Sequence, residues 1–225
     1  MLVCVSSQAA AGPARSGIPL LESDAARPVS WYVQSKLEGE ERVAELSRGP
    51  WCVIRPSVVY GAGDPGLFEL FRVIQQGFAP IVAGGTTRVQ LIAVEDLARI
   101  LMSVAERKDL SGRRAFASGD AVSMRGLVTF ISNLRRSPAW RIPVPGIAIR
   151  IAGLWESLRE TLSGTARPFN QDKAREMLQR DWLCDSQILF NDLGISNLVG
   201  WEKGITALCR WYITAAWLRR DVWRV

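Results

Sequence analysis

The first half of the chain alternates short, continuous apolar runs with longer segments in which apolar residues recur every three or four positions. Continuous runs are typical of strands buried on both faces of a parallel sheet, whereas the longer period is typical of helices. The apolar runs predict strands over 1–5, 51–54, 89–94 and 115–117. The periodic segments predict helices over 29–46, 67–76 and 95–105. This alternation predicts an α/β fold built on a mainly parallel sheet.

After residue 114 the pattern becomes mainly helical. The helices predicted there cover 123–134, 147–162, 171–178 and 203–218, and prolines interrupt the segment 142–145. We therefore expect two parts. Residues 1–114 form the sheet domain, and residues 115–225 form a smaller, mainly helical cap packed on it.

The composition narrows the chemistry that the chain can perform. Its 225 residues, 48% hydrophobic and 22% charged, are typical of a soluble globular protein. It contains no histidine, which excludes Ser-His-Asp and Cys-His triads and any histidine-ligated metal site built from this chain alone. The cysteines are far apart and form no CxxC pair, so we expect buried thiols in a reducing cytosol rather than disulfides or a metal site. They are Cys4, Cys52, Cys184 and Cys209.

The net charge of +6 comes from dispersed arginines rather than from a basic block. A nucleic-acid interface would show a basic stripe with interleaved aromatic residues, so we do not expect one here. No apolar run reaches the length of a membrane span, and 1–5 lacks the features of a signal peptide. We therefore expect a cytoplasmic protein without membrane association. One alternative is that 211–218, followed by Arg219 and Arg220, lies on a membrane as an amphipathic helix.

Tyr32 and Lys36 are the most informative pair in the chain. Residues four apart on a helix share one face, so the two side chains should lie about one turn apart. An ammonium group beside a phenol favours the phenolate and makes the tyrosine usable as a general acid and base. Most isolated Y-x-x-x-K pairs are nevertheless solvated helix faces. Ser7 strengthens the functional interpretation, because it follows strand 1–5 and parallel sheets bind ligands at the carboxyl ends of their strands.

A second motif, Gly61-Ala-Gly63-Asp-Pro-Gly66, matches the G-x-G-x-x-G fingerprint of dinucleotide-binding loops. Asp64, however, would oppose a pyrophosphate electrostatically. Downstream, 81–85 supplies no acidic residue to bind a ribose. We therefore interpret the segment as a turn after a strand and not as a phosphate-binding loop.

Four segments, at 3–7, 32–40, 53–61 and 91–98, together resemble the extended short-chain dehydrogenase/reductase family, of the NAD-dependent epimerase/dehydratase type. They follow the family's order and spacing, whereas the last third resembles its variable substrate-capping region only loosely. The resemblance implies a partial Rossmann-type parallel sheet with helices and a mainly helical C-terminal cap. It also implies an NAD(P)-dependent oxidoreductase or epimerase/dehydratase that transfers hydride at a substrate alcohol or ketone.

The resemblance also implies roles for individual residues. Tyr32 matches the catalytic tyrosine, and Lys36 matches the lysine that holds the nicotinamide ribose and favours the phenolate. Ser7 matches the serine or threonine that orients the reacting hydroxyl, with Ser6 as a weaker candidate. The residues expected to line the nicotinamide are Pro56, Ser57 and Val58. Pro56 is equally explained as a rigid strand exit.

Three departures from the family pattern bear on the substrate. Val58 stands where nucleotide-sugar epimerases commonly have asparagine, and Ala93 replaces a polar residue. Arg88 lies one position away from the family's arginine, although it could still bind a substrate phosphate. These changes favour a less polar alcohol or ketone over a sugar-type substrate, as in the sterol-dehydrogenase-like and flavonol-reductase-like branches. A homodimer through the helix of Tyr32 is also possible in this family.

The family's first strand, glycine-rich turn and acidic ribose ligand normally precede the serine that Ser7 matches. We therefore expect an N-terminally truncated chain that binds NAD or NADP weakly, with the choice between the two left open. The alternative is a non-catalytic binding or assembly protein that retains the half-fold. Its support is the lack of the cofactor half and a tryptophan-rich C-terminus with Trp201, Trp211, Trp217 and Trp223.

Overall fold

The computed structural model describes residues 1–15, 17–163 and 169–225. Its strands are β1 (Leu2–Val5), β2 (Trp51–Pro56), β3 (Val58–Tyr60), β4 (Phe78–Val82), β5 (Arg88–Ala93), β6 (Arg113–Ala117), β7 (Ala121–Ser123), β8 (Trp140–Val144) and β9 (Asp181–Trp182). Its helices are α1 (Trp31–Leu46), α2 (Pro65–Gln75), α3 (Val94–Glu106), α4 (Met124–Asn133), α5 (Gly146–Ser163), α6 (Gln171–Met177), α7 (Gln187–Leu193) and α8 (Trp201–Thr214). The predicted α/β class is confirmed.

The principal sheet is parallel, with the strand order β1-β2-β6. Neighbouring residues of β2 face opposite sides of this sheet. Arg55 points towards α1, whereas Ile54 packs with Ile100 of α3, so the two helices cover opposite faces. This is the layer arrangement of an open, doubly wound fold. Because β6 runs across residue 114, the strand after the predicted domain boundary belongs to the sheet.

The chain leaves this sheet at Ser57, which separates β2 from β3. β3 pairs with β5 in parallel, and β5 also pairs with β7 and with β9. A separate parallel pair is formed by β4 and β8. The C-terminal third is therefore less purely helical than the sequence predicts, and β4, β7, β8, β9 and α7 were not predicted.

The C-terminal tryptophans pack against the rest of the chain. Trp223 is buried in the larger core, and the ring of Trp217 lies 5.0 Å from that of Phe68. α8 ends at Thr214 instead of the predicted 218, because Ala216 adopts a left-handed φ of 59° and turns the chain back. Segment 211–218 is therefore not a continuous amphipathic helix, and membrane binding through it stays an untested alternative.

Cys52, Cys184 and Cys209 are buried free thiols, as expected, whereas Cys4 is a free thiol that is only partly buried. Burial raises the pKa of Cys52 to about 11 and the pKa values of Cys184 and Cys209 to about 12, so these three stay protonated at neutral pH. Within the described ranges there is no cluster of three or more acidic or cysteine side chains able to hold a metal ion. None of the helices described here is long and apolar enough to cross a membrane.

Gly204 of α8 offers a test of the packing between the cap and the sheet. A Cβ added there would lie 2.0 Å from the hydroxyl oxygen of buried Tyr60 and 2.6 Å from its ring. Gly204→Ala is therefore expected to destabilise the fold by about 1–3 kcal/mol in urea unfolding. Gly39 of α1 faces open space, so Gly39→Ala should instead stabilise by about 0.5–1 kcal/mol. Equal stabilities for the two variants would contradict the packing of α8 on Tyr60.

Candidate active site

Tyr32 lies in the first turn of α1, where hydrogen bonds fix both the N-cap residue and the first residue of the helix. The Ser30 hydroxyl accepts a hydrogen bond from Val33 N and donates one to Glu176 of α6 over 2.6 Å. Trp31 N donates to Asp172, also of α6, over 2.8 Å. The C-terminal part of the chain thus fixes the start of the helix that carries Tyr32.

Tyr32 and Lys36 lie together, as their spacing predicts. The Tyr32 side chain is 56% exposed, and the Lys36 ammonium lies 5.7 Å from the centre of its ring. An exposed phenol is accessible to a ligand and can donate a hydrogen bond to it. The structure therefore brings the two side chains together at the surface of α1.

A buried ion pair attaches α1 to the sheet. Glu40 of α1 is fully buried and accepts hydrogen bonds from Arg55 of β2, with Nη2 at 2.7 Å and Nε at 3.0 and 3.2 Å. Arg114 Nε lies 3.5 Å from the same carboxylate. Two parallel hydrogen bonds between a guanidinium and a carboxylate fix the relative orientation of the two side chains as well as the distance between them. Glu40 follows Lys36 by one turn, so the pair positions the helix that presents Tyr32 and Lys36.

Ser7 caps a short 3-10 turn, Gln8–Ala11, at the carboxyl end of β1. Its hydroxyl oxygen accepts a hydrogen bond from Ala9 N over 3.2 Å, which does not use the hydroxyl proton. α1 packs against this turn, so Ser7 and the helix of Tyr32 belong to the same edge of the sheet. Ser7 can therefore donate to a ligand at this edge.

Three buried polar atoms at the same edge have no hydrogen-bond partner within the described part of the chain. They are Ser6 Oγ, Gln8 Nε2 and Ser57 Oγ. Ser6 follows β1 and Ser57 follows β2, and Ser6 N continues the ladder between these strands by bonding to Ile54 O. Buried polar groups are nearly always satisfied, so three such atoms fit a site where a ligand supplies the partners. Sequence reasoning missed Gln8, although its position directly after Ser6 and Ser7 was a usable signal.

Pro56 and Val58 flank Ser57 at the bend between the two sheets. Pro56 ends β2 opposite Ala117, and Ser57 N donates to Ala117 O over 3.0 Å. Val58 opens β3 and is 42% exposed. The three residues expected to line the nicotinamide thus form one bend beside the unsatisfied atoms.

Arg88 does not join this group. It begins β5 and donates to Asp181 over 2.7 Å, at an open cavity of about 780 Å³. Arg15, Arg27 and Arg180 also line this cavity, which makes it strongly basic. Val29, three residues before Tyr32, lines it too, so the cavity borders the start of α1.

The G-x-G-x-x-G segment is a turn that caps α2, as predicted. The Asp64 carboxylate accepts hydrogen bonds from Gly66 N at 2.7 Å and Leu67 N at 3.2 Å. These are the backbone donors that a pyrophosphate would need, and the carboxylate adds a repelling charge. The residues at the strand ends therefore fit the nicotinamide end of a cofactor, whereas this segment does not fit its pyrophosphate.

The sequence is similar to those of known proteins. A sequence profile of the NAD dependent epimerase/dehydratase family matches residues 1–117. A ceramide reductase from Caulobacter vibrioides is 31% identical over 212 residues, which cover 90% of this chain and 64% of that protein. The chain thus spans a little under two thirds of the length of this relative.

Solved structures share the fold at low sequence identity. A nucleoside-diphosphate-sugar epimerase from Pseudomonas aeruginosa superposes with a TM-score of 0.75 at 20% identity, covering 96% of this chain and 68% of its own. A dTDP-glucose 4,6-dehydratase from Streptomyces venezuelae, solved with NAD, gives 0.72 at 18% identity, covering 96% and 61%. The chain therefore belongs to the NAD-dependent epimerase/dehydratase family.

Proposed function

We propose that the chain carries the catalytic residues of an NAD(P)-dependent reductase that acts on the carbonyl group of an apolar, lipid-type substrate. The observation that carries the proposal is the exposed phenol of Tyr32 beside the Lys36 ammonium, at the sheet edge where Ser7 has a free hydroxyl proton. The apolar side chain of Val58 and the similarity to a ceramide reductase support the lipid-type substrate.

The residues have distinct parts in the proposed reaction. When bound, the nicotinamide cofactor supplies the hydride that reduces the carbonyl carbon. Tyr32 donates its phenolic proton to the carbonyl oxygen, so that the C=O group becomes an alcohol, and Lys36 stabilises the phenolate that remains. Ser7 donates a hydrogen bond to the same oxygen and orients it. Lys36 would hold the cofactor's ribose, and the residues beside the nicotinamide would be Pro56, Ser57 and Val58.

A second candidate is an epimerase or dehydratase that acts on a nucleotide-linked sugar. It is favoured by the basic cavity, where Arg15, Arg27 and Arg180 accompany Arg88 and suit a phosphorylated substrate. The non-catalytic alternative has less support, because the tryptophans that suggested it pack within the chain. A homodimer through α1 and a cytoplasmic location stay predictions.

Deuterium transfer separates the two candidates. The folded chain is incubated either with a ketone-bearing ceramide and millimolar NADH or NADPH deuterated at C4, or with a nucleotide sugar and millimolar NAD+ or NADP+, and products are analysed by chromatography and mass spectrometry. Labelled ceramide alcohol is the expected product. Loss of water from the sugar, or its conversion to an epimer, without reduction of the ceramide would favour the second candidate, and no reaction with either substrate would contradict both.

We also expect the chain to contact only the nicotinamide end of its cofactor. β1 is an edge strand of the described sheet, with Leu2 52% and Val5 47% exposed. In the glycine-rich segment 61–66, the Asp64 carboxylate occupies the backbone N–H groups that a pyrophosphate would need. NAD+, NADP+ and nicotinamide mononucleotide should therefore bind with similar, millimolar dissociation constants in isothermal titration. Ser57→Ala should weaken all three alike, because it removes a buried hydroxyl that has no partner in the described chain. Micromolar binding of NAD+ with far weaker mononucleotide binding would contradict the expectation.

A further inference from the structure

α5 turns its apolar face to the solvent. Five large apolar side chains on one stripe of this helix are each more than half exposed: Ile147, Ile151, Leu154, Trp155 and Leu158. Its polar residues Glu156, Ser157 and Glu160 are less exposed than this stripe. A surface helix of a globular protein normally shows the opposite arrangement, with the apolar stripe facing the core.

Specific contacts hold α5 in this orientation. Gly153 is buried against α6, where an added Cβ would lie 2.7 Å from the Cβ of Ala174. One turn further, the Ser157 hydroxyl accepts a hydrogen bond from Gln171 N over 2.9 Å. At 100° per residue, the apolar stripe lies on the side of the helix roughly opposite Gly153. The close helix contact therefore requires the stripe to face outward.

The residues around the stripe point to what covers it. Arg150 and Arg159 are exposed on the same helix, and exposed Arg141 lies on β8, which α5 follows after Pro145 alone. Trp140 of β8 is 78% exposed, and Trp155 lies within the stripe. An apolar face containing tryptophan and flanked by arginines is the composition of helices that lie in a membrane interface. A row of five side chains is also much smaller than the roughly 20–30 residues per side of a standard protein interface.

We propose that α5 docks on membranes that contain anionic lipid, with its apolar stripe at the boundary between headgroups and acyl chains and its arginines among the headgroups. The proposal differs from the sequence-based expectation of no membrane association and uses a segment other than 211–218. It needs only the exposed face of α5, so it stands independently of the proposed reductase activity. If that activity holds, docking brings the chain to the place where a lipid substrate resides.

Flotation with vesicles tests the proposal. Wild-type chain is expected to float with vesicles of equal parts phosphatidylcholine and phosphatidylglycerol, and more weakly with phosphatidylcholine alone. Ile151→Glu combined with Leu158→Glu should lower the bound fraction about tenfold, because both charges enter the apolar boundary. The matched control combines Met102→Glu of α3 and Ile188→Glu of α7, which are equally exposed elsewhere, and should float like wild type.

Circular dichroism and thermal unfolding would verify that both double variants are folded, as expected for exposed positions. Failure of wild-type chain to float with either vesicle would overturn the proposal. So would equal loss in the two double variants, which would mean that the stripe is not the contact. Light scattering could also show that wild-type chain does not float but forms a dimer, and that the α5 variant is monomeric. That result would assign the stripe to a second copy of the chain and overturn the proposal as well.

Discussion

Replacing Tyr32 with phenylalanine is expected to slow deuterium transfer to a ketone substrate by at least about a hundredfold, because the carbonyl oxygen loses its proton donor. The side chain is 56% exposed, so the loss of one oxygen should leave the fold unchanged. Binding of nicotinamide mononucleotide should also be nearly unchanged, since Lys36 and Ser57 remain. The measurement is the initial rate of label transfer at millimolar cofactor.

Trp31→Phe is the matched control for this variant. Trp31 precedes Tyr32 on the same helix and is 78% exposed, so the control changes a neighbouring aromatic side chain without removing a proton donor. It should transfer label at the wild-type rate. If Tyr32→Phe keeps the wild-type rate while Ser7→Ala loses it, Tyr32 has no part in proton transfer and the proposed mechanism is wrong.

The parts of the site that could be predicted are those that depend on local geometry. Tyr32 and Lys36 are four residues apart on one helix, so their proximity follows from the helical repeat. Ser7 and Ser57 come two and three residues after the ends of the predicted apolar runs 1–5 and 51–54, and the carboxyl ends of neighbouring parallel strands meet at one edge. Their location at one edge of the sheet could therefore be predicted from the order of strands and helices alone.

Pairings between distant residues could not be predicted in the same way. Glu38, Glu40 and Glu41 look alike in sequence, and only packing against Arg55 selects Glu40 for burial. Arg88 likewise meets Asp181, which is 93 residues further along the chain. Such pairs depend on the tertiary arrangement, which periodicity alone does not specify.

Two of the structural features that the sequence pattern did not predict have separate causes. β4 and β8 pair with each other, but each contains a proline, and proline argues against an ordinary strand. For α5 the pattern predicted a helix over 147–162, and this helix carries an apolar stripe. The pattern could not tell whether that stripe faces the core or the solvent, because the deciding contact is that of Gly153 with Ala174 of α6.

Replacing Glu40 with alanine is expected to destabilise the fold by about 3–5 kcal/mol, a large part of the stability of an ordinary domain. Arg55 is 3% exposed, so its guanidinium would stay buried without the carboxylate that neutralises it. Arg114, 3.5 Å from the same carboxylate, would lose its partner too. The free energy of unfolding in urea measures the loss.

Two further variants separate the buried charge from the side chain that carries it. Glu41→Ala removes an exposed carboxylate from the next position and should change stability by less than about 0.5 kcal/mol. Glu40→Leu combined with Arg55→Met removes both charges and fills the space with apolar groups, which should restore stability to about that of wild type. If Glu40→Ala costs no more than Glu41→Ala, the pair does not hold α1 on β2. In that case the position of Tyr32 must depend instead on Ser30 and Trp31 at the start of the helix, where both are bound to α6.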